Sequence, residues 1–273
     1  MKKNNSILLS TPYILWMLAF TLIPLGVVAY YALTDPATGA FSLQNVRDLN
    51  MYWGVLGESI FYSLVSAFIC LLLGYPVAYY IAHQGPVAQK LLYMLVMLPM
   101  CMSFLLRTLA WVGLLQDTGI INDLLEFVGI GRKQLIRTPG AVVLGMVYNY
   151  LPYMILPLYS TIVKINPRLI EAAEDLGCNS IQVFSKVVMP LSIPGILSGI
   201  TMVCVPAVST FYISQKLGGT DTVLIGDVIE RQFKQVNNPN LGAALSLVLM
   251  ILVFVCTGIM NRFGADEEGG VIA

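Results

Sequence analysis

Long apolar stretches separated by short polar segments dominate this chain of 273 residues. A helix needs about 20 apolar residues to cross the hydrocarbon of a bilayer. The stretches that meet this length are predicted transmembrane helices, and they cover residues 12–33, 59–82, 91–115, 139–163, 192–214 and 241–262. Because the pattern shows neither a repeat of fixed period nor a linker, it predicts one all-α membrane domain over residues 1–273.

The composition agrees with this class of protein. Hydrophobic residues make up 57% of the chain and charged residues 11%, whereas a soluble domain has about 25% charged residues. The net charge of zero argues against nucleic-acid binding. The cysteines are scattered without a CxxC pair, so neither a disulfide framework nor a zinc site is indicated.

Several predicted spans contain proline. Proline leaves one helical carbonyl without its usual donor, and neighbouring protein groups must satisfy that carbonyl inside a membrane. We therefore expect Pro152, Pro157 and Pro206 to lie against protein and not against lipid.

The orientation is predicted from local charge. Lys2 and Lys3 precede an apolar run that is longer than the ~7–15 residues of a signal peptide, so the first helix is expected to stay uncleaved. Lysine and arginine are otherwise balanced between the two sides. Lys2 and Lys3, together with the turn at 83–90 that contains no acidic residue, favour a cytosolic position for both termini. The 164–191 loop is then cytosolic, and loops 34–58, 116–138 and 215–240 face outward.

The 164–191 loop carries the signals of two short helices. Asn166 can cap a helix that begins at Pro167, and Gly177 suits the left-handed position after its end. A second helix is predicted from about Ile181 to Val188, with Pro190 ending the pair. In the first helix, the helical period gives an apolar stripe and a separate acidic stripe, formed respectively by Leu169, Ala172, Ala173 and Leu176 and by Glu171, Glu174 and Asp175.

The acidic stripe favours a protein partner. A helix of about ten residues is marginal in water, so something must hold it. A helix on the bilayer surface usually carries lysine and arginine on its polar face, because the leaflet is anionic. An acidic face argues against lipid and for a basic groove in another protein.

Glu171-Ala172-Ala173, Gly177 and Val187-x-Met189-Pro190 resemble the EAA loop of ABC importer permeases, with Val and Met where that pattern has Ile and Leu. Several further segments resemble spermidine/putrescine ABC importer permeases of the B-subunit type. They are Leu73-Gly74-Tyr75-Pro76, Leu106-Arg107, Thr138-Pro139, Pro157-Leu158-Tyr159-Ser160, Phe211-Tyr212, Leu217-Gly218-Gly219 and Leu224-Ile225-Gly226.

This resemblance implies a MetI-like fold of six transmembrane helices with a cytosolic coupling helix, in a bacterial cytoplasmic (inner) membrane. It implies two copies of a cytosolic ABC ATPase, a second permease expected to differ from this chain, and a substrate-binding protein for which loops 116–138 and 215–240 are candidate docking sites. Glu171 would contact the ATPase, Ala172 and Ala173 would permit close packing, Gly177 would make the turn, and Pro190 would complete the motif. Because the chain lacks the GxxxxGK[ST] pattern, no ATPase activity of its own is expected. No cofactor is expected in this chain either, since the partner would bind ATP and Mg²⁺.

The substrate path is predicted from side-chain chemistry. A polyamine is a polycation, and no Asp or Glu lies inside the six predicted spans. Aromatic faces and neutral dipoles are the remaining means of stabilising ammonium groups, and candidates are Tyr148, Asn149, Tyr150, Ser209, Thr210 and Tyr212. Tyrosines at these positions are equally consistent with anchors at the membrane interface. Arg107 is expected near the outer interface, where its side chain can snorkel, in a structural or subunit-contact role.

Other functions remain open. A stand-alone channel or secondary carrier would use buried ionisable groups, which the spans lack, and would leave the acidic loop unexplained. A membrane enzyme would need paired carboxylates or a histidine cluster, and the chain has one His. Within the importer class, sulfate, phosphate, ferric ion and another oligo-cation are alternative solutes.

Overall fold

The computed structural model describes Tyr13 and residues 16–35, 39–219 and 222–268. Within these residues every secondary-structure element is a helix, apart from one isolated antiparallel bridge between Thr34 and Phe41. The chain divides into two compact units, Met1–Gly54 with Val228–Leu252 and Val55–Asp227 with Val253–Ala273. That all 273 residues form one domain stays a prediction.

The helices of the first half are, in chain order, α1 (Leu18–Ala32), α2 (Gln44–Asp48), α3 (Trp53–Ala82), α4 (Pro86–Met97), α5 (Phe104–Leu115) and α6 (Ile120–Phe127). A 3₁₀ turn joins α2 to α3, and another extends α4 to Cys101. The helices of the second half are α7 (Pro139–Ile162), α8 (Pro167–Asp175), α9 (Ser180–Leu191), α10 (Ile193–Val208), α11 (Ile225–Lys234) and α12 (Pro239–Glu268).

Within the described residues, the helices long and apolar enough to cross a membrane are Leu49–Ala82, Phe104–Phe127, Pro139–Ile162 and Pro239–Met260. A fifth arises if α9 and α10 are counted as one bent span, and Leu18–Ala32 and Pro86–Cys101 are shorter apolar helices. This architecture is compatible with the six predicted spans without fixing their number. The start of the first predicted span, at Pro12, lies outside the described residues.

The predicted continuous helix over 91–115 is wrong, because this stretch is broken in the middle. The chain leaves the helix at Met102 and Ser103, where ψ is 148° and 130°. Pro99 lies in the 3₁₀ turn just before the break and has no N–H to continue the helical ladder. Two separate helices, α4 and α5, therefore replace the predicted continuous one.

The predicted span 192–214 also differs from the structure. Its helix, α10, ends at Val208, and the chain is non-helical at Thr210 and Phe211 before a short π-helical turn over Ser214–Gly218. At the other end α10 begins after a bend of 62° from α9. Apolar composition alone does not reveal either interruption.

In the smaller unit, two asparagines satisfy the carbonyls that follow α1. Asn45 Nδ2 donates to the carbonyls of Ala32 (3.2 Å) and Thr34 (2.9 Å). Asn240 Nδ2 donates to Thr34 O at 2.7 Å. Both asparagines are buried, so their amide groups replace the water that would otherwise solvate this turn.

In the larger unit, α7 lies at the centre of the core, and α3 packs on it through a face of small residues. Ser66 Oγ contacts Met146 Sδ at 3.3 Å, and Cys70 Sγ contacts the Val147 carbonyl at 3.7 Å. Small residues let helices approach closely in a membrane. The buried small residues of α3 are Ser59, Ser63, Ser66, Ala67, Cys70, Gly74 and Ala78, of which Ser63 donates to the Cys204 carbonyl of α10 at 3.1 Å.

Helices α7 and α10 pack closely together at Gly195 and Gly199, which form a GxxxG pair on α10. A Cβ at Gly195 would lie 2.7 Å from Thr161 Oγ1 and 3.1 Å from the Pro157 carbonyl. A Cβ at Gly199 would lie 2.6 Å from Met154 Sδ. Only glycine permits this backbone approach, which is the usual role of the GxxxG motif.

The expectation that prolines in the spans face protein is confirmed for α7. Pro152 and Pro157 are buried, and Ser160 Oγ donates to the Pro157 carbonyl at 2.9 Å. Pro206 in α10 is half-buried, and its carbonyl accepts the Tyr150 hydroxyl at 3.3 Å.

We expect Gly195→Val to destabilise the folded permease by about 1–3 kcal/mol, the usual cost of overpacking. The β-branched side chain would meet the stiff Thr161 side chain and a backbone carbonyl, neither of which can move aside easily. Thermal unfolding in detergent measures the effect. Gly258→Val on α12 is the matched control, since a Cβ there meets nothing within 4 Å. Equal losses in both variants would contradict the contact.

Candidate functional site

The segment from Asn166 to Ser192 folds as the sequence predicts at its capped positions. Asn166 Oδ1 accepts the Arg168 N–H at 3.1 Å, and Pro167 opens α8. At the other end the Gly177 N–H bonds to Glu174 O (2.8 Å) and the Cys178 N–H to Ala173 O (3.0 Å). These two bonds form a Schellman motif, and Gly177 has the positive φ of 84° that the motif requires.

The buried face of α8 differs from the predicted stripe. Ala173 is 9% exposed and belongs to a buried apolar cluster with Val183 and Val188. Ile170 is half-buried against this cluster. The other stripe residues stay open, with Leu169 at 48% and Leu176 at 86% exposure. At 100° per residue, Glu171, Ala172 and Asp175 point away from the buried side. Ala173 therefore packs on this chain itself, and a partner would meet Ala172 and the acidic residues.

The second helix, α9, is longer than predicted. Asn179 and Gln182 form a capping box, each side chain accepting the other's backbone N–H at 2.9 Å. The helix then continues past Val188 to Leu191, through a π-helical stretch over Phe184–Val188. Pro190 does not end it, because a proline near the start of a helical turn needs no donor of its own. The break falls two residues later, at Ser192.

An aromatic contact holds α9 against the end of α3. The Phe184 ring meets Tyr75 edge-on at 5.5 Å and Tyr79 edge-on at 5.7 Å. Val183 and Val188 are buried in the same cluster as Ala173. Edge-to-face rings add about 0.5–1.5 kcal/mol to the burial of their area. Both short helices, α8 and α9, thus pack on the rest of the larger unit with one side and expose the other side.

The three consecutive candidates on α7 point in different directions. Tyr148 is 38% exposed and meets Trp111 of α5 edge-on at 5.4 Å. Asn149 is 1% exposed, donates to Gly145 O at 2.9 Å, and its Oδ1 has no hydrogen-bond partner within the described residues. Tyr150 is 6% exposed and bonds to α10 through Pro206 O. At about 100° per residue, Tyr148 and Tyr150 lie on nearly opposite sides of α7, with Asn149 between them. That these residues line a substrate path stays a prediction.

Tyr150, Ser209 and Thr210 come together at the end of α10. The Tyr150 hydroxyl interacts with the Thr210 side chain as well as with Pro206 O. Ser209 is exposed, and its hydroxyl bonds to the carbonyls of Val205 (3.2 Å) and Pro206 (3.3 Å). Side-chain hydroxyls thus satisfy carbonyls that a helix end leaves without donors.

Tyr212 makes contacts of its own. Its ring is 6.3 Å from Phe104 of α5, and the Lys216 ammonium lies over it at 5.7 Å from the centroid. The ring face therefore already binds a cation of this chain.

We expected the Arg107 side chain on α5 to snorkel to the membrane interface. The structure instead encloses this side chain. Its residue exposure is 7%, and its Nε and Nη1 have no hydrogen-bond partner among the residues that the structure describes. It lies close enough to Tyr150 to interact with it electrostatically. Helix α5 packs against α7, a tertiary contact that sequence position alone did not indicate.

Loops 116–138 and 215–240 contain the short helices α6 and α11, as loop 34–58 contains α2. On α6, Asp123 and Glu126 pair with Arg132 at 3.2 and 2.8 Å, and the hydrogen bond and charge of Glu126 raise the pKa of Arg132. Helix α11 begins where Asp227 Oδ2 accepts the Leu224 N–H (2.8 Å), and the Ile225 N–H donates to Ser59 Oγ (2.7 Å). An acidic residue three positions after Leu224 was the sequence signal for this helix start.

Helix α3 begins earlier than the predicted 59–82 span and so includes an acidic residue, the exposed Glu58.

Comparisons with known proteins agree with these features. Residues 70–265 match the family described as "Binding-protein-dependent transport system inner membrane component". The chain is 38% identical over 247 residues to the spermidine/putrescine transport system permease protein PotB of Haemophilus influenzae, covering 87% of this chain and 86% of that protein. It is 36% identical to PotB of Escherichia coli K12, covering 87% and 90%.

Solved structures share the fold. A bacterial ABC transporter involved in the import of the acidic polysaccharide alginate superposes with a TM-score of 0.76 at 18% identity, covering 97% of this chain and 96% of that one. A chain of the MetNI methionine ABC transporter superposes with a TM-score of 0.60 at 19% identity, covering 80% and 97%. The MetI-like fold expected from the sequence is confirmed.

We expect Phe184→Ala to loosen the segment 167–191 without unfolding the core. Phe184 is half-buried, so the loss should be about 2 kcal/mol, below the 3–5 kcal/mol of a fully buried ring. Local opening would then become about 30-fold more frequent. Amide hydrogen exchange over 167–191, with α7 and α10 as internal reference, measures it. Ile181→Ala is the control, since Ile181 is 79% exposed on the same helix. Unchanged exchange in Phe184→Ala would contradict the anchoring role.

Proposed function

This chain belongs to the binding-protein-dependent transport system inner membrane components, and we propose that it is the permease subunit of an ATP-driven importer of polyamines. The observation that carries the proposal is its identity of 38% over 87% of the chain to a spermidine/putrescine permease. As a multi-pass permease of the inner membrane it is not an enzyme, and the hydrolysis of ATP belongs to a partner subunit.

In this proposal α8 is the coupling helix. Glu171 and Asp175 present carboxylates on its outward side, and no ion pair satisfies them within the described residues. The small side chain of Ala172 lets a partner backbone approach between them. Leu176 and Ile181 add exposed apolar contact area, at 86% and 79% exposure. An acidic ridge with an apolar margin fits a groove of an ATPase that carries basic residues at its rim.

Gly177, Ala173 and Pro190 support this surface without touching the partner. Gly177 ends α8 with its Schellman motif, and Ala173 lets α8 lie close on its own chain. Pro190 lies just before the bend at Ser192, where the motion of α9 would pass into α10.

The expected assembly contains further subunits. Two ATPase subunits would bind ATP and Mg²⁺, and a second, different permease would complete the pathway. A substrate-binding protein would deliver the solute from outside, as the name of the family indicates. A structural relative is a bacterial alginate ABC transporter solved in complex with its periplasmic protein. Both termini of this chain would be cytosolic, which puts α8 on the side of the ATPase.

For the substrate path we propose the junction of α7 and α10. Tyr150, Ser209 and Thr210 meet where α10 ends at Val208. The carbonyl end of a helix carries partial negative charge and favours cations. Broken transmembrane helices use such ends to bind cations in other transporters. Tyr148, Asn149 and Tyr212 stay predicted path residues as well, and their contacts are with Trp111, the Gly145 carbonyl and Lys216 respectively.

We expect Gly177→Val to uncouple ATP hydrolysis from uptake, and Gly177→Asn to act nearly as the parent does. A Cβ at Gly177 meets nothing within 4 Å, so the two variants differ only in how they tolerate a φ of +84°. Asparagine adopts this conformation readily, and a β-branched residue does not. Uptake at equal membrane abundance, beside ATPase rate, measures the effect. Equal uptake by both variants would remove backbone strain as the cause.

The substrate is tested with the assembled transporter in proteoliposomes. We expect the binding protein loaded with spermidine or putrescine to stimulate ATPase activity and uptake. Sulfate-loaded and ferric-ion-loaded binding proteins of related systems serve as controls. Stimulation by sulfate without stimulation by polyamines would reject the substrate, and purification without any associated ATPase would reject the whole class.

A further inference from the structure

The bend between α9 and α10 lies at Ser192 and measures 62°. Pro190 and Pro194 flank it at a spacing of four residues. Pro194 has no N–H, so the helical bond that would join it to the Pro190 carbonyl is missing. The backbone ladder alone therefore does not fix the angle at this position.

A side-chain hydrogen bond reaches the bend from α3. Ser192 is fully buried, and its hydroxyl donates to the Met189 carbonyl at 2.8 Å. The same oxygen lies 2.7 Å from the Tyr75 hydroxyl. Because a serine hydroxyl has one hydrogen and that hydrogen is directed to Met189, the Tyr75 O–H is the donor of this second bond.

Tyr75 also contacts α9 itself. Its ring meets Phe184 edge-on at 5.5 Å. Phe184 lies eight residues before Ser192, or about 12 Å along a helix at 1.5 Å per residue. One residue of α3 thus holds the body of α9 with its ring and the bend with its hydroxyl.

We propose that Tyr75 is a positioning residue that fixes the angle at Ser192, so that displacement of α8 and α9 is delivered to α10 and is not absorbed at the bend. This inference rests on the proposed coupling role of α8. It assigns separate tasks to the two parts of one side chain. The ring anchors the helix, and the hydroxyl sets the angle.

The first test measures the angle and does not depend on the solute. Spin labels are placed at Lys186 on α9 and Met202 on α10, which are both exposed and lie outside the proposed ATPase contact, in a variant whose native cysteines are replaced. Double electron–electron resonance then gives the distance distribution in the complex purified with its ATPase. We expect Tyr75→Phe, which keeps the ring and removes the O–H, to widen this distribution. An unchanged width would overturn the proposal.

The second test measures coupling in the transporting complex. We expect Tyr75→Phe to lower the solute imported per ATP hydrolysed by about fivefold, the factor that one net hydrogen bond is worth. Loss of the bond should lower the thermal stability slightly, whereas the ATPase rate should stay at the parent level. Tyr80→Phe, on the exposed side of the same helix, is the control. An ATPase rate that falls together with uptake, so that the solute imported per ATP is unchanged, would overturn the proposal.

A double variant separates the bond from its members. Ser192→Ala removes the acceptor, and adding Tyr75→Phe should lower the coupling ratio no further, because both changes break the same bond. Additive losses would contradict the assignment. If the parent complex imports no polyamine, the proposed substrate fails, whereas the distance measurement still decides the role of Tyr75.

Discussion

The close contact of α7 with α10 is the interaction on which the larger unit depends. Lipid is as apolar as a leucine side chain, so helices in a membrane gain little by hiding apolar surface from each other. Van der Waals contact and satisfied carbonyls must hold them instead. Gly195 and Gly199 supply the first by letting backbones approach, and Tyr150 contributes to the second through its bond to Pro206 O. The result is a pair of helices that can move as one body, with a single bend leading to α9.

The segment from Asn166 to Ser192 solves a different problem, which is to remain ordered while half of its surface is open. Most of its backbone groups are satisfied internally, by the cap at Asn166, the Schellman motif at Gly177 and the capping box of Asn179 with Gln182. Because the helix ends need no outside partner, burial of a few residues such as Ala173 and Phe184 is enough to hold the segment. Leu176 and Ile181 stay available for another protein, at the cost of exposed apolar area in the isolated chain.

The sequence predicted local features better than long-range ones, for physical reasons. Caps at Asn166 and Gly177 depend on neighbours within four residues, so their signals are complete in the sequence. The buried face of α8 depends on what packs behind it, and the apolar period could not decide between Leu169 and Ile170. The break at Met102 was hidden because both halves of the stretch are equally apolar. Helix α11 was not predicted, although Ile225, Val228 and Ile229 follow the helical period, because a charged helix of 10 residues falls far short of a membrane span.

The charges near the proposed path bear on how a polycation could pass. Neither α7 nor α10 contains an acid, Arg107 is enclosed close to Tyr150, and Lys216 already lies over Tyr212. An ammonium group at the end of α10 would therefore meet hydroxyls and helix carbonyls and no carboxylate of these two helices. Neutral dipoles bind a cation more weakly than a carboxylate does. Weak binding permits release after each cycle but gives little discrimination between cations. In the proposed importer, selection of the solute must then come mainly from the binding protein, while this chain supplies passage and coupling.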